Sequence, residues 1–237
     1  VEERPPETAA DPSRAEQALP QDPHSPRPPA FAFLRPAEGS NEIGRLGGFR
    51  LLRLLGEGGM GMVFLAEDPR LGRQVAVKVM RPEIARHEES RWRFLREARA
   101  TAAVEHDHVV PIHQVDEDAG VPFLVMPLLK GESLEGRLRR APGLPLAEVM
   151  RIARETAEGL AAAHAAGLIH RDVKPGNLWL EPTPYGPRVK VLDFGLARPV
   201  ENEEHLTRTA ALLGTPGYMA PEQARAEPVD GRADLFS

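Results

Sequence analysis

The order of the predicted elements constrains this fold most, because strands come before helices along the chain. Residues 49–68, FRLLRLLGEGGMGMVFLAED, predict a strand, a glycine-rich turn and a second strand. Residues 73–80, RQVAVKVM, predict a third strand with alternating faces, and residues 109–129 predict two more strands around an acidic turn. The main helical stretches are 87–105, 133–141 and 146–167. A strand-rich half therefore precedes a helix-rich half.

Residues 1–46 have a different character, since proline recurs every few residues and few apolar side chains are available for burial. Such a segment cannot offset its ordering entropy, so we expect it to be disordered and partly polyproline II. Its only apolar cluster is FAFL, at Phe31–Leu34. This cluster is either a chance feature of a linker or a docking peptide.

The composition excludes several kinds of site. The chain of 237 residues is 41% hydrophobic and 27% charged, as a globular protein would be, and its net charge of -5 provides no basic surface for nucleic acid. It has no cysteine, which excludes disulfides, thiolate metal sites and cysteine nucleophiles and is compatible with a reducing cytoplasm. No apolar run reaches the ~20 residues of a membrane span, and no signal peptide is visible. We therefore expect a cytoplasmic domain, whose parent protein could be membrane-anchored through sequence after Ser237.

A glycine-rich turn joins the first two predicted strands. Its residues are Gly56, Glu57, Gly58, Gly59, Met60 and Gly61. A dinucleotide site would instead have a helix after the turn. Because glycine has no Cβ, the backbone N–H groups of such a hairpin can approach a polyphosphate closely. The turn is therefore either a phosphate-binding hairpin or an ordinary one.

Lys78 lies in the middle of an apolar strand, in the sequence VAVKVM. An ammonium group there is costly unless it is paired, and its partners would be phosphate oxygens and a carboxylate. Glu97, in the helix that follows, is the candidate carboxylate. The alternative is an edge lysine that is exposed to solvent.

The loop IHRDVKPGN, residues 169–177, holds five polar side chains on a stretch that cannot be a regular helix. Pro175 and Gly176 break any helical continuation. Such a concentration of polar groups is either a solvated turn or a reaction centre, and its chemistry decides between them.

The polar groups of this loop suit phosphoryl transfer. Asp172 can accept a proton from a hydroxyl nucleophile, and Lys174 can neutralise a transferring phosphoryl group. The amide oxygen of Asn177 and the carboxylate of Asp193, in the sequence DFG, are hard ligands suited to Mg²⁺. Phosphoryl transfer needs positioning and cancellation of negative charge, and this set supplies both.

In their order along the chain, these motifs resemble those of protein kinases, and most of all the bacterial eukaryotic-like (Hanks-type) Ser/Thr kinases. The matching stretches are GEGGMGMV, VAVK, Glu97, HRDVKPGN, DFG, GTPGYMAPE and DGRADLFS. The resemblance covers about residues 49–237, so the kinase domain would occupy 47–237. It implies an α+β, bilobal fold with a β-rich N-lobe over about 47–126, a hinge over 127–131 and a helical C-lobe over 132–237. ADLFS would begin the central helix of the C-lobe, which is incomplete after that point.

The resemblance implies a role for each polar residue of the set. The glycine-rich turn would cover the phosphates of ATP, and Lys78 would hold the α- and β-phosphates while it pairs with Glu97. Asp172 would be the catalytic base, and Lys174 would lie beside the γ-phosphate. The residues that would hold Mg²⁺ are Asn177 and Asp193.

The resemblance also implies an adenine site. Its residues would be Val63, Ala76, Met126, Pro127, Leu129 and Trp179. Met126 would be the gatekeeper, and the base would bond to the Pro127 carbonyl and the Leu129 N–H. Val63 and Ala76 would form the roof. Trp179 takes the floor position, where leucine or methionine is more usual, and would either stack on adenine or crowd it.

Specificity and regulation follow from the same resemblance. Lys174 and Thr215 favour protein Ser/Thr substrates over tyrosine. Arg171 precedes the catalytic aspartate, and family members with an arginine there often need a phosphothreonine between DFG and APE. Thr207 and Thr209 have the matching spacing, and a homodimer would let one copy phosphorylate the other.

Two functions from different classes remain open at this point. One is a Ser/Thr kinase, and the other is a nucleotide-binding scaffold or an inactive truncated fragment. Loss of Lys78, Asp172 or Asp193 would mark a pseudokinase, and all three are present, which favours the enzyme.

Overall fold

An antiparallel sheet forms the N-terminal part of the computed structural model, which describes residues 31–59, 61–194 and 216–237. Within these residues its strands are β1 (Gly44–Leu46), β2 (Phe49–Glu57), β3 (Gly61–Asp68), β4 (Arg73–Met80), β5 (Gln114–Asp118) and β6 (Val121–Pro127). They lie in the spatial order β1-β2-β3-β4-β6-β5. β3 and β6 are the most completely buried strands, since most of their residues are buried and none is exposed.

Two helices cover one face of this sheet. They are α1 (Pro82–Ala85) and α2 (Glu88–Ala102). Phe94 and Ala98, one helical turn apart, are buried on α2 and pack in one cluster with Ala76 and Leu124 of the sheet. The helix is therefore held by a narrow apolar stripe, while its many arginines and glutamates lie on the remaining surface.

The compact unit of the chain begins at Phe33, so the boundary predicted at residue 46 falls inside it. Arg35 and Arg45 exchange backbone hydrogen bonds of 2.9 and 3.1 Å, and Leu34 is buried. Both the Arg35 side chain and the Gly47 N–H bond to Asp118 in β5. Residues 33–46 are folded because these contacts reach across the sheet; most of the predicted linker, residues 1–30, lies outside the described residues.

Helices dominate the second half. The elements there are β7 (Glu132–Ser133), α3 (Leu134–Arg140), α4 (Leu146–Ala165), a 3-10 turn (Pro175–Asn177), β8 (Leu178–Glu181) and β9 (Arg188–Val191). Ser133 caps α3, as its Oγ accepts the N–H of Gly136 at 3.1 Å. Ile152 and Leu160 of α4 share a core with Val191 of β9. This core includes Val173, so it also supports the 169–177 loop.

The last described stretch contains a 3-10 turn (Pro216–Tyr218), α5 (Pro221–Ala224) and α6 (Arg232–Phe236). Ala233 and Asp234 of α6 are buried, whereas Leu235 and Phe236 are exposed. Among the helices of the described ranges, none has the length and apolar character that crossing a bilayer requires. The predicted α+β division, with a strand-rich part before a helix-rich part, is confirmed.

Candidate active site

The loop from His170 to Asn177 is anchored by the buried carboxylate of Asp234. The backbone N–H groups of His170 and Arg171 donate to it at 2.8 and 2.6 Å. His164 Nε2 donates to the same carboxylate at 2.7 Å. The loop is thus held by its backbone, which leaves its side chains available for chemistry.

His170 is fully buried and links the loop to the DFG segment. Its Nε2 donates to the Leu192 carbonyl at 2.7 Å, its Nδ1 accepts the Asp172 N–H at 3.2 Å, and its ring lies 4.9 Å from that of Phe194. Burial lowers the pKa of His170, although its bond to Leu192 and the nearby carboxylates oppose that shift. A neutral imidazole with one donor and one acceptor matches this geometry, and its ring is tilted by 55° against that of Phe194.

Two of the predicted residues, Lys174 and Asn177, contact the carboxylate of a third, Asp172. Lys174 Nζ lies 2.7 Å from Asp172 Oδ2. Asn177 Nδ2 donates to the Asp172 carbonyl at 2.8 Å and to Oδ2 at 3.0 Å. Since the amide nitrogen makes these bonds, the amide oxygen of Asn177 is left for another ligand, and within the described residues it has no hydrogen-bond partner. These contacts fix the side chains relative to one another, so the loop is an ordered site and not a solvated turn.

Lys78 lies across the cleft from this loop and pairs with Asp193, at 2.7 Å between Nζ and Oδ1. Its position on β4 pairs with Val63 of β3 and Leu124 of β6, so the ammonium emerges from the centre of the sheet. Burial opposes ionisation of Asp193, but the charge and the hydrogen bond of Lys78 outweigh it and lower the pKa of that carboxyl. Asp193 also has a positive φ of 62°, which turns it out of the strand direction.

The predicted pair of Lys78 with Glu97 is not formed. Among the described ion pairs Lys78 has only Asp193 as its partner. Burial raises the pKa of Glu97, and the positive charges of Arg171, Arg93 and Arg96 oppose that shift. Glu97 therefore lies near positive charges of α2 and of the 169–177 loop.

Four of the six residues predicted for the adenine site lie together. Val63, Ala76, Met126 and Leu129 belong to one apolar cluster, together with Leu192 from the segment before Asp193. Pro127 is the last residue of β6 and pairs with Val75. On the opposite side, the indole Nε1 of Trp179 donates to the carbonyl of Lys130 at 2.7 Å.

The glycine-rich turn closes the outer end of the cleft. Gly56 pairs with Val63 and Glu57 with Met62 in the β2–β3 register, and Gly58 N donates to the Gly61 carbonyl at 2.9 Å. Gly59 lies in the same bend, and Met60 is outside the described residues. The predicted hairpin is therefore present.

Sequence reasoning missed three residues that hold this site. Arg81 Nε donates to the Gly58 carbonyl at 2.9 Å and its guanidinium pairs with Glu57 at 3.4 Å. Gln223 donates to the Arg171 carbonyl at 2.8 Å, and His164 supports Asp234. None has a local sequence signal, since each acts across a long sequence separation. Thr207, Thr209 and Thr215 lie outside the described residues.

Comparison with known proteins agrees with this geometry. The family described as protein kinase domain matches residues 49–237. The DNA damage-responsive serine/threonine-protein kinase RqkA of Deinococcus radiodurans is 46% identical over 195 residues, which cover 81% of this chain and 28% of that protein. Serine/threonine-protein kinase PknA of Mycobacterium tuberculosis is 41% identical over 196 residues, or 81% of this chain and 44% of that protein.

A solved structure shares the fold. The crystal structure of the kinase domain of Mycobacterium tuberculosis PknI has a TM-score of 0.62 and 33% identity, covering 80% of this chain and 70% of that one. The chain spans less than half the length of the two curated relatives it matches.

Proposed function

The chain belongs to the protein kinase family, and we propose that it transfers the γ-phosphoryl group of ATP, bound with Mg²⁺, to serine and threonine hydroxyls of proteins. The observation that carries this proposal is the Asp172 carboxylate, held by Lys174 and Asn177 on a loop that Asp234 anchors. The two curated relatives, 46% and 41% identical, are both named as serine/threonine-protein kinases, which supports the alcohol class of acceptor.

Asp172 is the group that orients and deprotonates the acceptor. Lys174 and Asn177 both contact its Oδ2, and within the described residues no hydrogen bond engages Oδ1. The substrate O–H donates to Oδ1, and its proton passes to this oxygen as the hydroxyl oxygen attacks the γ-phosphorus; the bond from that phosphorus to the β–γ bridging oxygen breaks, and ADP leaves. Lys174 neutralises negative charge at the same place, because its ammonium is fixed 2.7 Å from the carboxylate.

Asn177 and Asp193 fit a magnesium ion. The amide oxygen of Asn177 and Oδ2 of Asp193 are hard donors without a hydrogen-bond partner in the described part of the chain. When bound, the ion would neutralise phosphate charge and orient the polyphosphate. Lys78 supplies a second positive charge at the mouth of the glycine-rich turn, where the phosphates would lie.

We also propose that phosphorylation of Thr207 or Thr209 activates the protein. Arg171 supports this, since its Nε is buried and has no hydrogen-bond partner in the described part of the chain, and Gln223 fixes its backbone. A phosphate adds about -1.5 to -2 charges and would pair with that guanidinium. With Arg171 neutralised, Glu97 would be free to pair with Lys78. A second copy of the chain would carry out this phosphorylation. The activated protein would then phosphorylate protein substrates in the cytoplasm.

The catalytic assignment is tested with Asp172→Asn. Phosphate transfer from ATP to a mixture of Ser/Thr peptides should fall by at least about 100-fold, while the affinity for ATP stays within about twofold of wild type, because the residue acts on the acceptor. Lys78→Met should reduce both, and Asp116→Asn, at an exposed position of β5, should reduce neither. Full transfer by Asp172→Asn would show that the base is wrongly assigned.

The activation proposal has a separate test. The double variant Thr207→Ala/Thr209→Ala should lose activity after incubation with ATP, and phosphopeptide mass spectrometry of wild type should find phosphate on one of the two residues. Equal activity in the double variant, with neither threonine phosphorylated in wild type, would remove the proposed switch but leave the transfer reaction intact.

A further inference from the structure

The backbone of the glycine-rich turn is held by the side chain of Arg81. Met80, the last residue of β4, pairs with Gly61 in the β3–β4 register, so Arg81 lies beside the turn. Its Nε donates to the Gly58 carbonyl at 2.9 Å, and its Nη2 lies 3.4 Å from Glu57 Oε2. The guanidinium therefore fixes the turn from the end of a neighbouring strand.

The bond to Arg81 decides which way the peptide group between Gly58 and Gly59 faces. A trans peptide is planar, so its carbonyl and its N–H point in opposite directions. Glycine on both sides lets such a peptide turn over at little steric cost, and the space around Gly58 is open, since an added Cβ would meet nothing within 4 Å. With the Gly58 carbonyl held by Arg81, the Gly59 N–H points away from the guanidinium.

The direction away from Arg81 leads toward the cleft. The backbone of Arg81 is extended, with φ -60° and ψ 134°, so it continues the alternation of β4 and lies on the face of Val79, opposite to Lys78. The Lys78 ammonium points into the cleft, where it meets Asp193. The Gly59 N–H is therefore directed to the side of the sheet on which Lys78 would meet the phosphates.

We propose that Arg81 is a positioning residue for phosphate binding, because it holds the Gly58 carbonyl on the outer side and so presents the Gly59 N–H to the polyphosphate of the nucleotide; this inference rests on the proposed function. Without Arg81 the peptide is free to turn over. Its carbonyl oxygen, the negative end of the peptide dipole, would then face the phosphates in place of a donor. Arg81 thus acts through the backbone and has no role in binding the nucleoside part.

Calorimetry with a nonhydrolysable ATP analogue plus Mg²⁺, and with adenosine, tests this on Arg81→Met. We expect the analogue to bind about tenfold more weakly, since a donor to a charged group is lost, while adenosine stays within about twofold of wild type. In phosphate transfer to Ser/Thr peptides, the KM for ATP should rise by about tenfold and kcat should change by less than about threefold, because the contact is present before and during the reaction. The control is Arg53→Met, at an exposed arginine of β2, which should behave as wild type in each measurement.

High salt separates positioning from the charge of the guanidinium. A long-range attraction between Arg81 and the phosphates would be screened at about 1 M KCl, where the Debye length is about 3 Å. The difference between wild type and Arg81→Met in affinity for the ATP analogue should remain at least about threefold under these conditions. Its disappearance at high salt would overturn the positioning role.

Nuclear magnetic resonance of the wild-type chain provides a readout that does not depend on folding of the variant. The amide proton of Gly59 should move downfield when the ATP analogue binds, because it becomes a hydrogen-bond donor, and it should stay in place when adenosine binds. An unmoved Gly59 resonance with the analogue bound, or equal weakening of the analogue and adenosine in a folded Arg81→Met protein, would overturn this inference alone. A folded wild-type protein that does not bind the ATP analogue would overturn the proposed function together with it.

Discussion

Replacement of Glu42 by glutamine should weaken the fold through the segment before β2. The side chain of Glu42 is 0% exposed. Its carboxylate accepts the N–H groups of Glu38 and Gly39, Arg45 Nε at 3.1 Å and Arg50 Nε at 2.8 Å. These four donors tie residues 38–45 to β2, and an uncharged amide would turn two N–H donors toward them.

The size of the effect follows from the titration of this carboxyl. Burial favours the protonated form, but the hydrogen bonds from Glu38, Arg50, Gly39 and Arg45 outweigh it and lower the pKa of Glu42 to about 2. In the unfolded chain the pKa would be about 4.3, so the folded state gains about 3 kcal/mol from the ionised form. Because the arginines are partly exposed and solvent screens them, we take about 2 kcal/mol as the expected loss at pH 7.

The sign of the pH dependence makes the prediction specific. The contribution is complete above the unfolded pKa and is lost as the pH falls from about 4.3 toward 2. Urea denaturation of wild type and Glu42→Gln should therefore differ by about 2 kcal/mol at pH 7 and by much less at pH 2.5. Glu38→Gln, which removes a largely exposed partner of Arg45, should cost less than about 0.5 kcal/mol at pH 7. A difference for Glu42→Gln below about 0.5 kcal/mol at pH 7, or one that does not change with pH, would refute this reasoning.

Three further predictions concern stability near the site. Gly61→Ala would place its Cβ 2.5 Å from a backbone carbonyl of β4, so denaturation should show that the free energy of unfolding falls by about 1–3 kcal/mol. Gly56→Ala, whose Cβ would have nothing within 4 Å, should cost far less. Equal losses in the two variants would contradict this. Because the pKa of the buried His170 is lowered, the free energy of unfolding falls as the pH drops below about 6.5. His170→Phe should reduce this pH dependence between about pH 6.5 and 5. An unchanged pH dependence would exclude His170 as its source. Gly131→Ala should cost at least about 2 kcal/mol more than Gly143→Ala, because both have positive φ but only the former meets a carbonyl of β8; a similar thermal stability of the two variants would show that the segment after β6 moves freely.

Much of the site could be predicted because its residues are close in sequence or lie on regular strands. Asp172, Lys174 and Asn177 fall on one short loop, so a single turn of backbone brings them together. Lys78 lies on a strand whose alternation places it beside the cleft. The strand-then-helix order likewise predicted the α+β division, since strand and helix periodicities differ clearly over windows of this length.

Contacts between distant segments could not be predicted. The folded segment before β2 looks like a proline-rich linker, because part of its stability comes from Asp118, which is 83 residues from Arg35 and 71 residues from Gly47 in sequence. Arg81 gives no signal in an arginine-rich chain, yet it holds the carbonyl of Gly58. In both cases the residue type is common, and only the tertiary fold selects which copy finds a partner.

The ion pair of Lys78 is a contact within the candidate site that the sequence did not predict. The sequence motifs indicate Glu97 as the carboxylate for this ammonium and Asp193 as a ligand of Mg²⁺, whereas in the structure Lys78 pairs with Asp193. Asp193 follows β9 and is only partly exposed; burial opposes its ionisation, and the charge and hydrogen bond of Lys78 outweigh that effect and lower its pKa. Glu97 lies on a helix with Arg93 and Arg96 and is near Arg171, so it has other positive charges to face. Within the described residues the ammonium pairs with Asp193, and we expect any event that gives Asp193 a cation, or gives Arg171 an anion, to shift Lys78 toward Glu97.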